Sequence, residues 1–185
     1  MITKNNVVKI IILEGRNNVL SNYKGKSWEE DFKSSFKGTK YEKGLMRLYD
    51  STSGFAGIST PCDFILYTYP NLFMFELKAV QDKRLDFAKI RPNQLEGLSK
   101  WSENKGVIAG VLVNFYTHGY IYFVPVEVIN LFKSHGKKSI NMEMCEKYCY
   151  KVDGSKKRTR FRINVLKTIE DLREFEHPFI DFGEE

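Results

Sequence analysis

The stretch Leu72-Phe73-Met74-Phe75-Glu76-Leu77-Lys78-Ala79 constrains this chain more than any other. It is apolar on both faces of a strand, the pattern of a central strand covered on each side, yet Glu76 and Lys78 interrupt it. Charges in such a setting are rarely kept without partners, because burying an isolated ion costs far more than a strand position returns. A second strand-like run, Asp63 to Tyr69, precedes it across Pro70-Asn71, so the two form a hairpin. A two-residue turn at Pro70-Asn71 or at Tyr69-Pro70 makes paired residue numbers sum to 141 or to 139. In the first register Asp63 faces Lys78, in the second Glu76. Both sums are odd, so either register puts Asp63, Glu76 and Lys78 on one sheet face and Phe73, Phe75 and Leu77 on the other, ready to pack on a helix.

That helix is expected upstream. Ser27 as N-cap and Glu30 three residues on form a capping box, followed by Trp28, Phe32 and Phe36 at helical spacing. On this wheel Glu29 borders the buried arc and Glu30 points to water. A polar, Gly-rich connector runs from Asp50 to Pro61. After the hairpin, Pro92 at the first helical position opens a helix that carries Gln94, Leu98 and Trp101 on one face and ends at Gly106. Strands over 107–115 and 120–124, a short helix over 125–132 and a terminal helix over 168–175 complete the order. The expectation is one α/β domain spanning residues 1–185, with a mixed central β-sheet flanked by helices.

Composition narrows the partners. The chain has 185 residues and a formal net charge of +6, and the excess is local. Residues 133–162 hold ten basic residues against three acidic ones, whereas 163–185 hold two against seven. The tract Lys156-Lys157-Arg158-Thr159-Arg160-Phe161-Arg162 suits a phosphate-contacting strand or turn, with Arg158, Arg160 and Arg162 on one face by alternation. Three cysteines make no disulfide framework, which favours a reducing, cytoplasmic setting. The apolar run Val7 to Leu13 is short and broken by Lys9, so neither a signal peptide nor a membrane span is expected.

Carboxylates at the spacing of Asp63 and Glu76 are hard ligands for magnesium or manganese, ions that keep several waters and complete their shells with phosphate oxygens. A lysine one strand step away can orient the attacking water or offset charge developing on the phosphate. Glu29 is a candidate further ligand or base, and Gln94 can hydrogen-bond near the same water. Phosphodiester hydrolysis is the chemistry this set serves. The competing interpretation is a solvated face with a weak ion pair.

Several blocks, in order, resemble a known family: Gly25-Lys26-Ser27-Trp28-Glu29-Glu30-Asp31-Phe32, Ser59-Thr60-Pro61-Cys62-Asp63-Phe64, Phe75-Glu76-Leu77-Lys78, Phe87-Ala88-Lys89-Ile90-Arg91-Pro92-Asn93-Gln94 and Gly136-Lys137-Lys138-Ser139-Ile140. The Asp63…Glu76-Leu77-Lys78 hairpin looks like the PD-(D/E)XK nuclease motif, and the wider pattern is similar to the RecU Holliday-junction resolvases. The resemblance implies a restriction-endonuclease-like core and a magnesium-dependent endonuclease. It also implies a homodimer that places symmetric nicks in a four-way DNA junction. Asp63 and Glu76 fall on the metal-binding acids, Lys78 on the catalytic lysine, Glu29 on the acid of the first helix and Gln94 on the glutamine after the sheet. Cys62 stands where a threonine is usual. Two other functions stay open: a related nuclease that cuts duplex or damaged DNA, and a DNA-binding protein without hydrolysis.

Overall fold

The computed structural model describes residues 25–49 and 60–182. The apolar run Val7 to Leu13 and residues 50–59 of the Asp50-to-Pro61 connector lie outside the described residues.

Helix α1 (Gly25–Ser35) is followed by a 3-10 turn and strand β1 (Leu45–Arg47). The hairpin consists of β2 (Phe64–Thr68) and β3 (Asn71–Val80), and β4 (Arg84–Asp86) and a 3-10 turn (Phe87–Lys89) lead into α2 (Pro92–Ser102). Then come β5 (Val107–Phe115), β6 (Tyr120–Pro125), α3 (Val126–Ser134), β7 (Ser139–Asn141), α4 (Met142–Tyr148) and β8 (Tyr150–Lys151). A second hairpin, β9 (Gly154–Lys157) and β10 (Arg160–Ile163), precedes α5 (Val165–Glu174). Six strands form one sheet in the order β1-β2-β3-β5-β6-β8, with β3 parallel to β5 and the other pairs antiparallel. The architecture is therefore a mixed central sheet flanked by helices, as the patterning predicts.

The hairpin register is the one whose numbers sum to 139: Phe64 pairs with Phe75 and Thr68 with Asn71, across a Tyr69-Pro70 turn. Side-chain alternation along β3 then divides the core in two. Phe73, Phe75 and Leu77 join Trp28, Phe32 and Phe161 on one face, under α1 and the β9–β10 hairpin. Met74 and Val80 join Leu98, Phe87, Ile90 and Phe132 on the other, under α2 and α3. Trp28 is fully buried and its Nε1 donates to Leu112 O at 3.1 Å, which fixes the first turn of α1 against the sheet. Where β5 crosses β6 the backbones come so close that only glycine fits, since a Cβ on Gly110 would stand 2.4 Å from Val124 O.

Two local expectations are corrected. Gly25 and Lys26 are already helical, so Ser27 lies inside the first turn of α1 and is not its N-cap; docking of Trp28 holds that turn in place. Arg158 does not share a strand face with Arg160 and Arg162, because it sits in the hairpin turn with φ of 56°. Arg160 and Arg162 do share the exposed face of β10, while Phe161 and Ile163 turn inward. Among the described residues, no helix is long and apolar enough to cross a membrane.

Candidate active site

Register and one side-chain bond build the site. Asp63 N donates to Phe75 O at 3.1 Å, one residue out of step with the hairpin register, in which Phe64 pairs with Phe75, and this holds Asp63 against residues 75–77 of β3. Its Oδ2 accepts from the backbone N–H of Leu77 at 2.8 Å, which holds the carboxylate beside the strand step that carries Glu76. Glu76 is 1% exposed. Its Oε1 accepts from Lys78 Nζ at 2.6 Å, and its Oε2 is buried with no hydrogen-bond partner among the described residues. Burial pushes the Glu76 carboxyl up to about 7, repulsion from Asp63 adds to the effect, and Lys78 and Arg91 oppose it.

Glu29 approaches from α1. It is half-buried, as the helical wheel predicts, and pairs with Arg47 of β1. Its carboxyl is also raised, first by burial and then by Asp63, against the opposing pull of Arg47. Glu29 and Glu76 thus both feel Asp63. A cleft of about 310 Å3 lined by Lys26, Glu29, Glu30, Lys33, Arg47 and Phe64 opens on the Glu29 side.

Gln94 is buried at the start of α2, where its Oε1 accepts from Arg91 N at 3.1 Å and caps the first turn. The same helix end is tied to the segment that carries Asp63. Asn93 Nδ2 donates to Thr60 O at 3.5 Å, and Gly97 packs so tightly on Pro61 that a Cβ would lie 2.6 Å from it. Gln94 therefore braces Arg91, whose charge reaches the Glu76 carboxyl.

Arg47 and Asp31 escape sequence patterning. Arg47 stands on a three-residue edge strand too short to show periodicity. Asp31 is buried one residue from Phe32; it accepts from Phe161 N at 2.8 Å and pairs with Arg160 Nε at 2.6 Å. Arg160 also reaches Glu30 at 2.9 Å, so this guanidinium fastens the β9–β10 hairpin to α1. Of the basic tract, Lys156, Lys157, Arg158 and Arg162 are exposed along that hairpin.

No group of three or more His, Cys, Asp or Glu residues in a metal-holding arrangement occurs among the described residues. Magnesium does not require one, since it commonly takes one or two carboxylates and fills the rest of its shell with water and substrate oxygens. Asp63 and Glu76 fit that demand: both are hard oxygen donors, and Glu76 Oε2 is a buried acceptor that a cation would satisfy.

No curated protein matches the chain. Among solved structures, Archaeoglobus fulgidus Hjc, a Holliday junction resolvase from an archaeal hyperthermophile, is similar over 66% of this chain and 92% of its own, at 18% identity and a TM-score of 0.48. The family model described as recombination protein U matches residues 48–171, more than half of the chain and the span that holds Asp63, Glu76, Lys78 and Gln94. The chain belongs to the recombination protein U (RecU) family.

Proposed function

We propose that this protein is a magnesium-dependent endonuclease that resolves four-way DNA junctions by paired, symmetric phosphodiester hydrolysis. The observation that carries this is Glu76: a carboxylate buried in a central strand, one oxygen on Lys78, the other unpartnered, beside Asp63. Such an arrangement is costly for the protein alone and makes sense as half of a cation site.

Asp63 and Glu76 would hold the ion, with manganese able to substitute, and Glu29 would add a further carboxylate only on leaving Arg47. When bound, the metal lowers the pKa of a coordinated water and offsets charge building on the phosphate. Lys78 Nζ, held at Glu76, aims a positive charge at the nonbridging oxygens during in-line attack and can orient the attacking water. Gln94 fixes the start of α2, and with it Arg91, at the rim. Lys156, Lys157, Arg158 and Arg162 bind backbone phosphates, while Arg160 is engaged mainly in holding the hairpin on α1. Two-fold symmetry in the junction calls for a homodimer with two equivalent sites.

The test is cleavage of a labelled mobile four-way junction and a matched linear duplex, with magnesium and with EDTA. Paired nicks in the junction alone, lost in EDTA, are expected. Equal cutting of the duplex would leave a nuclease of broader substrate class, and tight binding without cleavage would leave a DNA-binding scaffold.

A further inference from the structure

On the α2 side of the sheet lies a groove of about 720 Å3 that the proposed chemistry does not use. Its floor is Phe87, Ile90, Pro92 and Leu95, and Lys133, Lys137 and Lys138 line it with Asp86 and Gly136. All three lysines are exposed, as is Lys89 on the adjoining 3-10 turn, and none of the four is ion-paired with an acid among the described residues. The one acid in the groove is occupied locally, since Asp86 Oδ1 accepts from Ala88 N at 3.0 Å.

The backbone carrying these lysines is fixed. Phe87 N donates to Lys138 O at 2.9 Å, Lys137 N to Phe132 O at 3.0 Å and Gly136 N to Lys133 O at 3.0 Å. Gly136 takes φ of 69°, the left-handed conformation that ends α3 and turns Lys137 and Lys138 toward β4. Pairing of β4 with β7 then ties the lysine turn to the chain that leaves the Glu76-Lys78 strand.

Position decides what the groove serves. Alternation puts Glu76 and Lys78 on the Met74 face of β3, the face that packs with Phe87, Ile90 and Phe132. The β9–β10 hairpin, where sequence charge is densest, packs on the opposite face with Phe161 against Trp28. Arg91, next in sequence to Pro92 of the groove floor, is near enough to act on the Glu76 carboxyl. A polyanion along the groove is thus led past Arg91 toward Asp63 and Glu76.

We infer that the groove edged by Lys89, Lys133, Lys137 and Lys138 is a second DNA-backbone contact surface, which seats the strand to be cut on the same sheet face as the carboxylates. This rests on the nuclease proposal and adds where the DNA lies. Charge complementarity favours a nucleic-acid strand, and an acidic peptide with apolar side chains is the rival occupant.

The experiment measures junction affinity in EDTA as a function of salt for the wild type, K133A/K137A/K138A and K133R/K137R/K138R. A control, K100A/K105A, alters lysines at the other end of α2. Three lost phosphate contacts lower the slope of log affinity against log salt by about 3 and weaken binding at least roughly tenfold at moderate salt. The arginine variant is expected to retain wild-type behaviour, and so is the control. Unchanged affinity and slope in the alanine variant, with a wild type that still cleaves, would overturn the groove and leave the nuclease intact. So would loss of affinity for a fluorescein-labelled acidic peptide alone. A wild type that neither cleaves nor binds junctions would instead remove the nuclease proposal itself.

Discussion

Glu76→Gln is expected to abolish junction cleavage and, with metal removed at pH 8, to make the protein more stable than the wild type. The loss of activity is at least about a thousandfold, since a metal that supplies several kcal/mol of transition-state stabilisation loses a ligand and its charge. The gain in stability follows from the carboxyl's environment. Unfolded, Glu76 ionises near its ordinary value of 4.5; folded, it holds its proton to about 7. Below 4.5 both states are protonated and nothing is lost. Between the two values the unfolded chain ionises first, so stability falls as pH rises. Above 7 the full penalty is in place, roughly 3 kcal/mol. A neutral amide removes it, so melting of the EDTA-treated variant at pH 8 should occur several degrees higher, while at pH 4 the two proteins converge. Cleavage by the wild type should rise with pH through about 7 as Glu76 gives up the proton that competes with the metal. A variant less stable than wild type at pH 8 would mean that Glu76 is a structural ion-pair residue.

Lys78→Met separates the cation's role from that of its neighbours. Methionine keeps most of the aliphatic stem and removes the ammonium, so the strand stays packed while a charge 2.6 Å from Glu76 Oε1 disappears. The expected loss in single-turnover rate is about a hundredfold to ten-thousandfold. Manganese binding should survive, with its pH midpoint displaced upward, because Lys78 lowers the Glu76 carboxyl against the effect of burial. Rate loss with no change in that midpoint would place Lys78 on the substrate alone, away from Glu76. An unchanged rate would remove it from catalysis.

Much of this geometry is written in parity. Because Asp63 and Lys78 are separated by an odd number of steps across a short turn, either turn places the acids and the lysine on one face, and only the choice between 139 and 141 needs the structure. Trp28, Phe32 and Phe36 announce α1, and the same wheel ranks Glu29 against Glu30 correctly. What stays hidden depends on tertiary partners. Asp31 lies one residue from a buried phenylalanine, and nothing local reveals that Arg160, far along the chain, neutralises it. The density of basic residues at 156–162 is visible in sequence, but the consumption of Arg160 by Glu30 and Asp31 is not. Arg47 belongs to a strand of three residues, below the length at which alternation is readable. The lysine groove is built from β4, β7 and the end of α3, segments brought together by pairing across more than fifty residues.

The central claim is that Asp63 and Glu76 hold the ion that cuts the junction. Its most direct test is magnesium-dependent cleavage of a labelled mobile four-way junction by the wild type and by Asp63→Ala, with junction binding measured in parallel. Paired nicks by the wild type, with at least about a thousandfold less cleavage and retained binding in the variant, are the predicted result. Cleavage by Asp63→Ala at the wild-type rate would contradict the account and place the chemistry elsewhere in the protein.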